Sequence, residues 1–175
     1  RSSRVCYDQF TLRLAQQVFG ESRISRDLNA DWREVRQELV GAYSANLDFA
    51  KATHPQNTLF YGLELVYNDV ASDGYREAAL TGEQRDGPDR YPQATWRSLA
   101  AYVNDEWRLG QRLTLQGGLR YNQFAMELDF SENSDYYPLP FSQARIDNGA
   151  LTGRLGVVYR PSDSLLIRAN LGTGF

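Results

Sequence analysis

The chain has 175 residues, of which 42% are hydrophobic, 13% aromatic and 23% charged, with a net charge of −3. Arginine supplies 18 of the 19 basic residues and Lys51 the other, and they form no run, so nothing favours a nucleic-acid partner. Mean hydropathy is −0.55, and no stretch approaches the roughly 18 apolar residues of a membrane-crossing helix, which excludes helical spanning but not crossing by strands. Cys6 is the single cysteine, so an internal disulfide and a cysteine metal cluster are both excluded. The chain begins with Arg, shows no signal peptide, and ends on Gly172–Phe175 in what reads as mid-strand; we expect a segment of a longer protein.

Taken in order, about seven segments alternate apolar with polar or small residues, the period-two signature of strands with unlike faces. In the first, from about Val5 to Phe19, Phe10, Leu12, Leu14 and Val18 oppose Thr11, Arg13, Ala15 and Gln17. In the second, Glu34 to Phe49, Val35, Leu39, Tyr43, Leu47 and Phe49 oppose Arg36, Glu38, Ser44, Asn46 and Asp48. The third (Thr58 to Ala71) sets Leu59, Tyr61, Leu63, Leu65 and Tyr67 against Gly62, Glu64 and Asn68. The fourth (Trp96 to Leu109) sets Leu99, Ala101, Val103 and Trp107 against Ser98, Tyr102, Asn104 and Glu106. The fifth starts at Leu113, runs as far as Phe130, and carries Leu115, Leu119 and Tyr121 opposite Gln116, Gly118 and Arg120. The sixth, Leu151 to Arg160, and the seventh, Leu165 to Phe175, repeat the pattern with Arg154 and Arg168 on their polar faces.

The connections alternate in length. Gly20 to Arg33, Ser72 to Thr95 and Ser131 to Gly149 are long, whereas Lys51 to Asn57, Gly110 to Gln111 and Pro161 to Ser164 are short. Arg120 in mid-strand is costly against lipid and cheap against water, so one face reads as lipid-facing and the other as a wet interior. Aromatic residues near the strand ends (Tyr43, Tyr61, Tyr67, Trp107, Tyr121, Tyr159) suit the headgroup level. The expected fold is all-β: part of an antiparallel transmembrane β-barrel with short turns on one side and long loops on the other, in contact with outer-membrane lipid. Two rivals stay open, a passive porin-like or structural barrel and a soluble β-sandwich that binds ligand through its loops.

The run Leu59–Tyr75, LFYGLELVYNDVASDGY, resembles the mid-barrel of TonB-dependent outer-membrane receptors, as do Arg90–Leu109 and Leu113–Phe124. The closing piece, LTGRLGVVYRPSDSLLIRANLGTGF, resembles the strand pair that in this family leads into a strand beginning G-x-G-F. The resemblance implies a barrel of about 22 strands around a plug domain, residing in the bacterial outer membrane. It also implies TonB-dependent uptake of an iron carrier: haem, a haem protein or a siderophore. On that reading residues 1–175 belong to one barrel domain. The plug, the remaining strands and the TonB-contacting segment lie elsewhere in the chain, and both edges of this piece pair with strands outside it.

Under this resemblance the loop residues Tyr75, Arg76, Arg90, Tyr91, Tyr136 and Tyr137 are the substrate-contact candidates, and loop position is where specificity resides. Arg36, Glu38, Glu64, Glu106, Arg120, Arg154 and Arg168 are expected to face the lumen, where they either dock the plug or are simply hydrated. His54, the only histidine, sits in a short turn and reads as turn filler rather than a haem ligand. The acidic residues Asp73, Glu77, Glu83, Asp86 and Asp89, mixed with Arg76, Arg85 and Arg90, match no calcium-loop spacing and read as a solvated, salt-laced loop; the same holds for Asp129, Glu132 and Asp135. No metal site and no bound cofactor are expected. Asp105 and Glu106 are adjacent and point to opposite faces, no Ser/His pair is credible and no phosphate-binding glycine loop is present, so no enzymatic activity is expected.

Overall fold

The computed structural model describes residues 6–174, so Val5 and Phe175, expected at the ends of the first and last strands, lie outside the described residues. The chain forms one antiparallel sheet from β1 (Gln9–Ser25), β2 (Trp32–His54), β3 (Asn57–Ala78), β4 (Gln84–Asp86), β5 (Gln93–Leu109), β6 (Leu113–Asp129), β7 (Gln143–Ser162) and β8 (Leu165–Gly172). The order is β1-β2-β3-β5-β6-β7-β8, an up-and-down meander curved into a half-barrel. The short β4 pairs with β3 at Tyr75–Glu77, beyond Val70, where β5 stops pairing. The sequence-based segments therefore all form strands, with β4 as an addition.

Continuous register holds the faces. β1 and β2 pair without a break from Gln9↔Ala50 to Ser25↔Glu34, and β5 and β6 from Gln93↔Asp129 to Leu109↔Leu113. Paired residues share a face, so Leu12, Leu47, Leu63 and Ala101 make one apolar row, and Asn46, Glu64, Ala100 and Asn122 make one row on the other face. No large side chain is fully buried among the described residues, and the buried apolar residues are only Val35, Ala100 and Ala125. Leu14 (71% exposed), Leu151 and Leu155 instead stand out on the apolar face. Two sandwiched layers would bury those side chains against each other. A single wall leaves them for lipid, which removes the soluble-sandwich rival.

The apolar row is bounded by aromatic rings at both levels. Near the short turns Phe49 stacks on Tyr61 at 5.1 Å and lies 6.5 Å from Phe10, and nearer the loops Tyr43 meets Tyr67 at 6.3 Å. Between these levels each strand contributes about nine residues, the length needed to cross a bilayer at a tilt. The strands themselves are far longer. β2 has 23 residues, about 75 Å when extended.

That extra length corrects the expected connections. Gly20–Ser25, Ser72–Ala78 and Gln143–Gly149, expected in loops, continue β1, β3 and β7. The true loops are residues 26–31, 79–92 (with β4 inside) and 130–142, the last with a single 3-10 turn at Ser131–Asn133. The reason is physical. Above the lipid both faces of a strand are wet, so nothing requires alternation there, and a strand without alternation is indistinguishable from a loop by pattern. The short ends match expectation: Pro55–Gln56, 110–112 and Asp163–Ser164 are turns.

Candidate functional site

The polar face carries two constellations. The first lies at mid-wall. Arg13 pairs with Asp48, which also accepts a hydrogen bond from the Tyr102 hydroxyl. To reach Asp48 from β5, the Tyr102 ring must cross β3, and it does so over Gly62. A Cβ at Gly62 would collide with the Leu47 carbonyl and come within 2.7 Å of the Tyr102 hydroxyl. Next along the wall, Arg120 donates to both Glu64 oxygens at 2.9 and 3.3 Å, and to Asn122 at 3.3 Å. Arg154 donates through Nε to Asn104 at 3.0 Å, and Gln116 to Glu106 at 3.0 Å. A recess of about 440 Å³ opens between Arg13, Glu64, Tyr102, Arg120 and Arg154. These pairs are a third or more exposed on at least one side, so each contributes only about 1 kcal/mol, and together they fix side-chain directions.

The second constellation closes the loop end of the same face. Segment 87–92 folds back over β3, with the Pro88 carbonyl sitting where a Cβ on Gly74 would be. Any other residue at position 74 would push this segment off the wall. Arg90 then reaches Glu21 of β1 at 3.2 Å and comes within 3.8 Å of the buried Glu38 carboxylate on β2. The Glu21 carboxylate raises the Arg90 pKa above its usual value. The loop 130–142 joins in: the Asp89 N–H donates to Asn133 Oδ1 at 2.8 Å, and Gln93 Nε2 donates to Ser72 O at 2.7 Å and to Glu132 at 2.9 Å. Asp89 is buried, and burial, with Glu132 and Asp73 nearby, raises its carboxyl pKa above the ordinary range. Neighbouring loops thus form one clasp over the polar face.

Of the six loop candidates, Arg76 lies on the polar face of β3, and Arg90 is the arm of the clasp. Tyr91 lies against the Arg90 guanidinium at 4.9 Å, and Tyr136 and Tyr137 follow the 3-10 turn, exposed. Tyr75 is on strand β3 rather than in a loop, aligned with Val35 and Asp86 on the face opposite Arg76, so the structure does not bring it together with the others. Arg36, Glu38, Glu64, Glu106, Arg120, Arg154 and Arg168 all fall in the rows of the polar face. His54 ends β2, and its Nδ1 accepts from the Gln56 N–H at 3.4 Å within the turn. The loop acids are dispersed: Glu77 pairs with Arg33 at 3.0 Å and Glu83 with Arg85 at 2.9 Å, and no group of three metal-ligating side chains forms among the described residues.

Sequence reasoning passed over Arg13, Asp48 and Tyr102 as a unit, although all three carried the polar-face signal. Asn133 gave no signal, because its partner is a backbone 44 residues away.

Long unbroken antiparallel strands, a lipid-suited outer row and a charged inner row define the wall of a large membrane barrel. The sequence matches the TonB dependent receptor-like, beta-barrel family over residues 4–175, and the chain belongs to that family. Among solved structures it is similar to the copper transporter OprC (TM-score 0.76, 15% identity, 93% of this chain and 26% of that one). It is also similar to the ferric yersiniabactin uptake receptor FyuA from Yersinia pestis (TM-score 0.67, 17% identity, 92% and 24%). A third is the ferric citrate transporter FecA in its unliganded form (TM-score 0.63, 16% identity, 94% and 24%). At these identities the likeness concerns the fold, and the chain spans about a quarter of each structure. No curated protein matches the sequence.

Proposed function

We propose that this chain is part of the wall of a TonB-dependent receptor in the bacterial outer membrane, and that the whole protein takes up an iron carrier, a siderophore or haem, through a plugged barrel. The family match over residues 4–175 carries this reading. The neighbours named for copper, ferric citrate and ferric yersiniabactin share metal or metal-chelate cargo. The apolar row supports contact with lipid. The charged mid-wall row supports a wet lumen that accepts a plug from the same polypeptide, and the TonB complex would act on that plug. The clasp puts Arg76, Arg90 and Tyr91 on or beside the polar face at its loop end, where cargo arrives.

The test is growth of a receptor-deleted host carrying the full-length protein on single iron sources, with and without functional TonB. Rescue on haem or a siderophore only with TonB supports the reading. Rescue without TonB moves the assignment to a passive porin-like barrel, the remaining rival.

A further inference from the structure

The loop end of the polar face carries a ladder of arginines that the clasp does not absorb. In the middle rung Arg23 of β1 stands directly across from Arg36 of β2, with Gly74 next in line. In the rung above, Ser25, Glu34, Arg76 and Arg85 align across β1, β2, β3 and β4. Like charges facing each other across neighbouring strands repel. Arg36 bonds Glu34 at 3.0 Å, and Arg76 stands 3.7 Å from the same carboxylate. Glu34 is thus shared, and the buried Nε of Arg36 has no partner. Arg23 has no ion pair at all among the described residues, because the nearest carboxylate on its own strand, Glu21, is taken by Arg90.

Above the two rungs lies a recess of about 370 Å³ lined by Arg26, Trp32, Glu34, Arg76 and Arg85, with Asp27 and Asp86 at its rim. Its volume falls in the range of small-molecule pockets. Arg85 lies flat over the Trp32 ring at 4.3 Å, which makes one wall a planar platform. Arg85 is also held by Glu83. Counting the ladder and the recess together, the guanidiniums of Arg23, Arg26, Arg36, Arg76 and Arg85 exceed the carboxylates of Asp27, Glu34, Glu83 and Asp86 by one (5 against 4). The excess falls on the middle rung, where no carboxylate stands. The guanidinium fork suits a planar carboxylate or a phosphate, which a lysine would meet only as a point charge.

We propose that Arg23 and Arg36 hold an oxyanion group of the cargo between them, and that the body of this anionic ligand, a carboxylate- or phosphate-bearing small molecule or its metal chelate, occupies the Trp32–Arg85 recess. This deepens the uptake reading and rests on it for the word cargo; the binding site stands on the ladder and the recess.

The first arm uses purified full-length receptor in detergent, labelled with phenylglyoxal and mapped by peptide mass spectrometry. Citrate, ferric citrate and inorganic phosphate are each compared with chloride at equal ionic strength. The expected result is that at least one of these anions lowers labelling of Arg23 and Arg36 several-fold, while Arg97 and Arg145 on the opposite face keep theirs. Protection by citrate or phosphate alone identifies a free anion as the ligand, and protection only by ferric citrate identifies the chelate. Unchanged labelling with all three overturns the proposal. So does protection already present in chloride, which would mean that a side chain from elsewhere in the receptor occupies the rung.

The second arm measures binding of the protecting anion and of a neutral ferric trihydroxamate to the Arg23→Gln/Arg36→Gln variant. Loss of one charge-assisted contact corresponds to roughly tenfold in affinity, so a drop of at least that size is expected for the anion and none for the neutral chelate. Equal losses for both would mean general damage and sink the idea. TonB-dependent growth on a neutral iron source, with no anion effect in either arm, would leave the uptake reading intact and remove only this site.

Discussion

The lower and upper halves of the same strands obey different rules. Between the two aromatic levels, β6 alternates strictly, with Leu115, Leu119 and Tyr121 outward and Gln116, Gly118 and Arg120 inward. A few residues higher, the outward row of that strand becomes Gln123, Ala125, Glu127 and Asp129, aligned with Asp147, Arg145 and Gln143 on β7. The hydrogen-bond ladder runs through both halves without interruption. Solvent thus decides the side chains, while the backbone pairing is indifferent to it: lipid on one side demands alternation, and water on both sides does not.

The largest expected effect tests that boundary directly. Leu119→Arg should destabilise the assembled full-length barrel by about 2–4 kcal/mol, read as a lowered midpoint in denaturant unfolding from lipid vesicles. Gln123→Arg, on the same strand and face, should cost no more than about 0.5 kcal/mol, and Asp147 is there to receive it. Equal losses at the two sites would break the comparison. Next in size, Gly62→Ala should cost about 1–3 kcal/mol by overpacking beneath Tyr102, measured the same way. Tyr102→Phe keeps the ring and removes only the hydrogen bond to Asp48, so a loss of about 1 kcal/mol is expected. If Tyr102→Phe is as damaging as Gly62→Ala, the hydroxyl rather than the ring's fit holds the mid-wall.

The smallest effect belongs to the upper half and depends on pH. The Asp89 carboxyl pKa is raised in the closed clasp, chiefly by burial. The clasp is therefore most favoured below the ordinary carboxylate range, and loses stability as pH rises from that range through the raised value. Hydrogen exchange of segment 87–92 should be slower at acid pH than at neutral pH. Asp89→Asn, which keeps an acceptor for the Gly74 N–H, should abolish the difference and protect the segment at neutral pH. A pH dependence that survives in Asp89→Asn would assign the effect to another group.

The legible parts of the fold were those where one physical demand acts on every second residue. Leu12, Leu47, Leu63 and Leu119 announced a lipid-facing row, and Arg13, Glu64, Arg120 and Arg154 a wet one, because a charge in mid-strand has only one tolerable side. The upper strands were not legible. Gly20–Ser25 and Ser72–Ala78 carry glycine, serine and charge on both faces, and that composition serves a solvated strand as well as a loop.

Strand identity, the facing of each residue within the membrane and the side on which the loops lie were determined by the sequence alone, since each follows from local alternation and turn chemistry. Tertiary structure alone decided which charges meet. Register set Arg23 against Arg36 and Glu21 against Glu38, and the fold-back over Gly74 brought Arg90 69 residues along the chain to Glu21 and joined Asp89 to Asn133. Such pairings depend on distances between strands and on loop paths, which no periodicity within a single strand encodes.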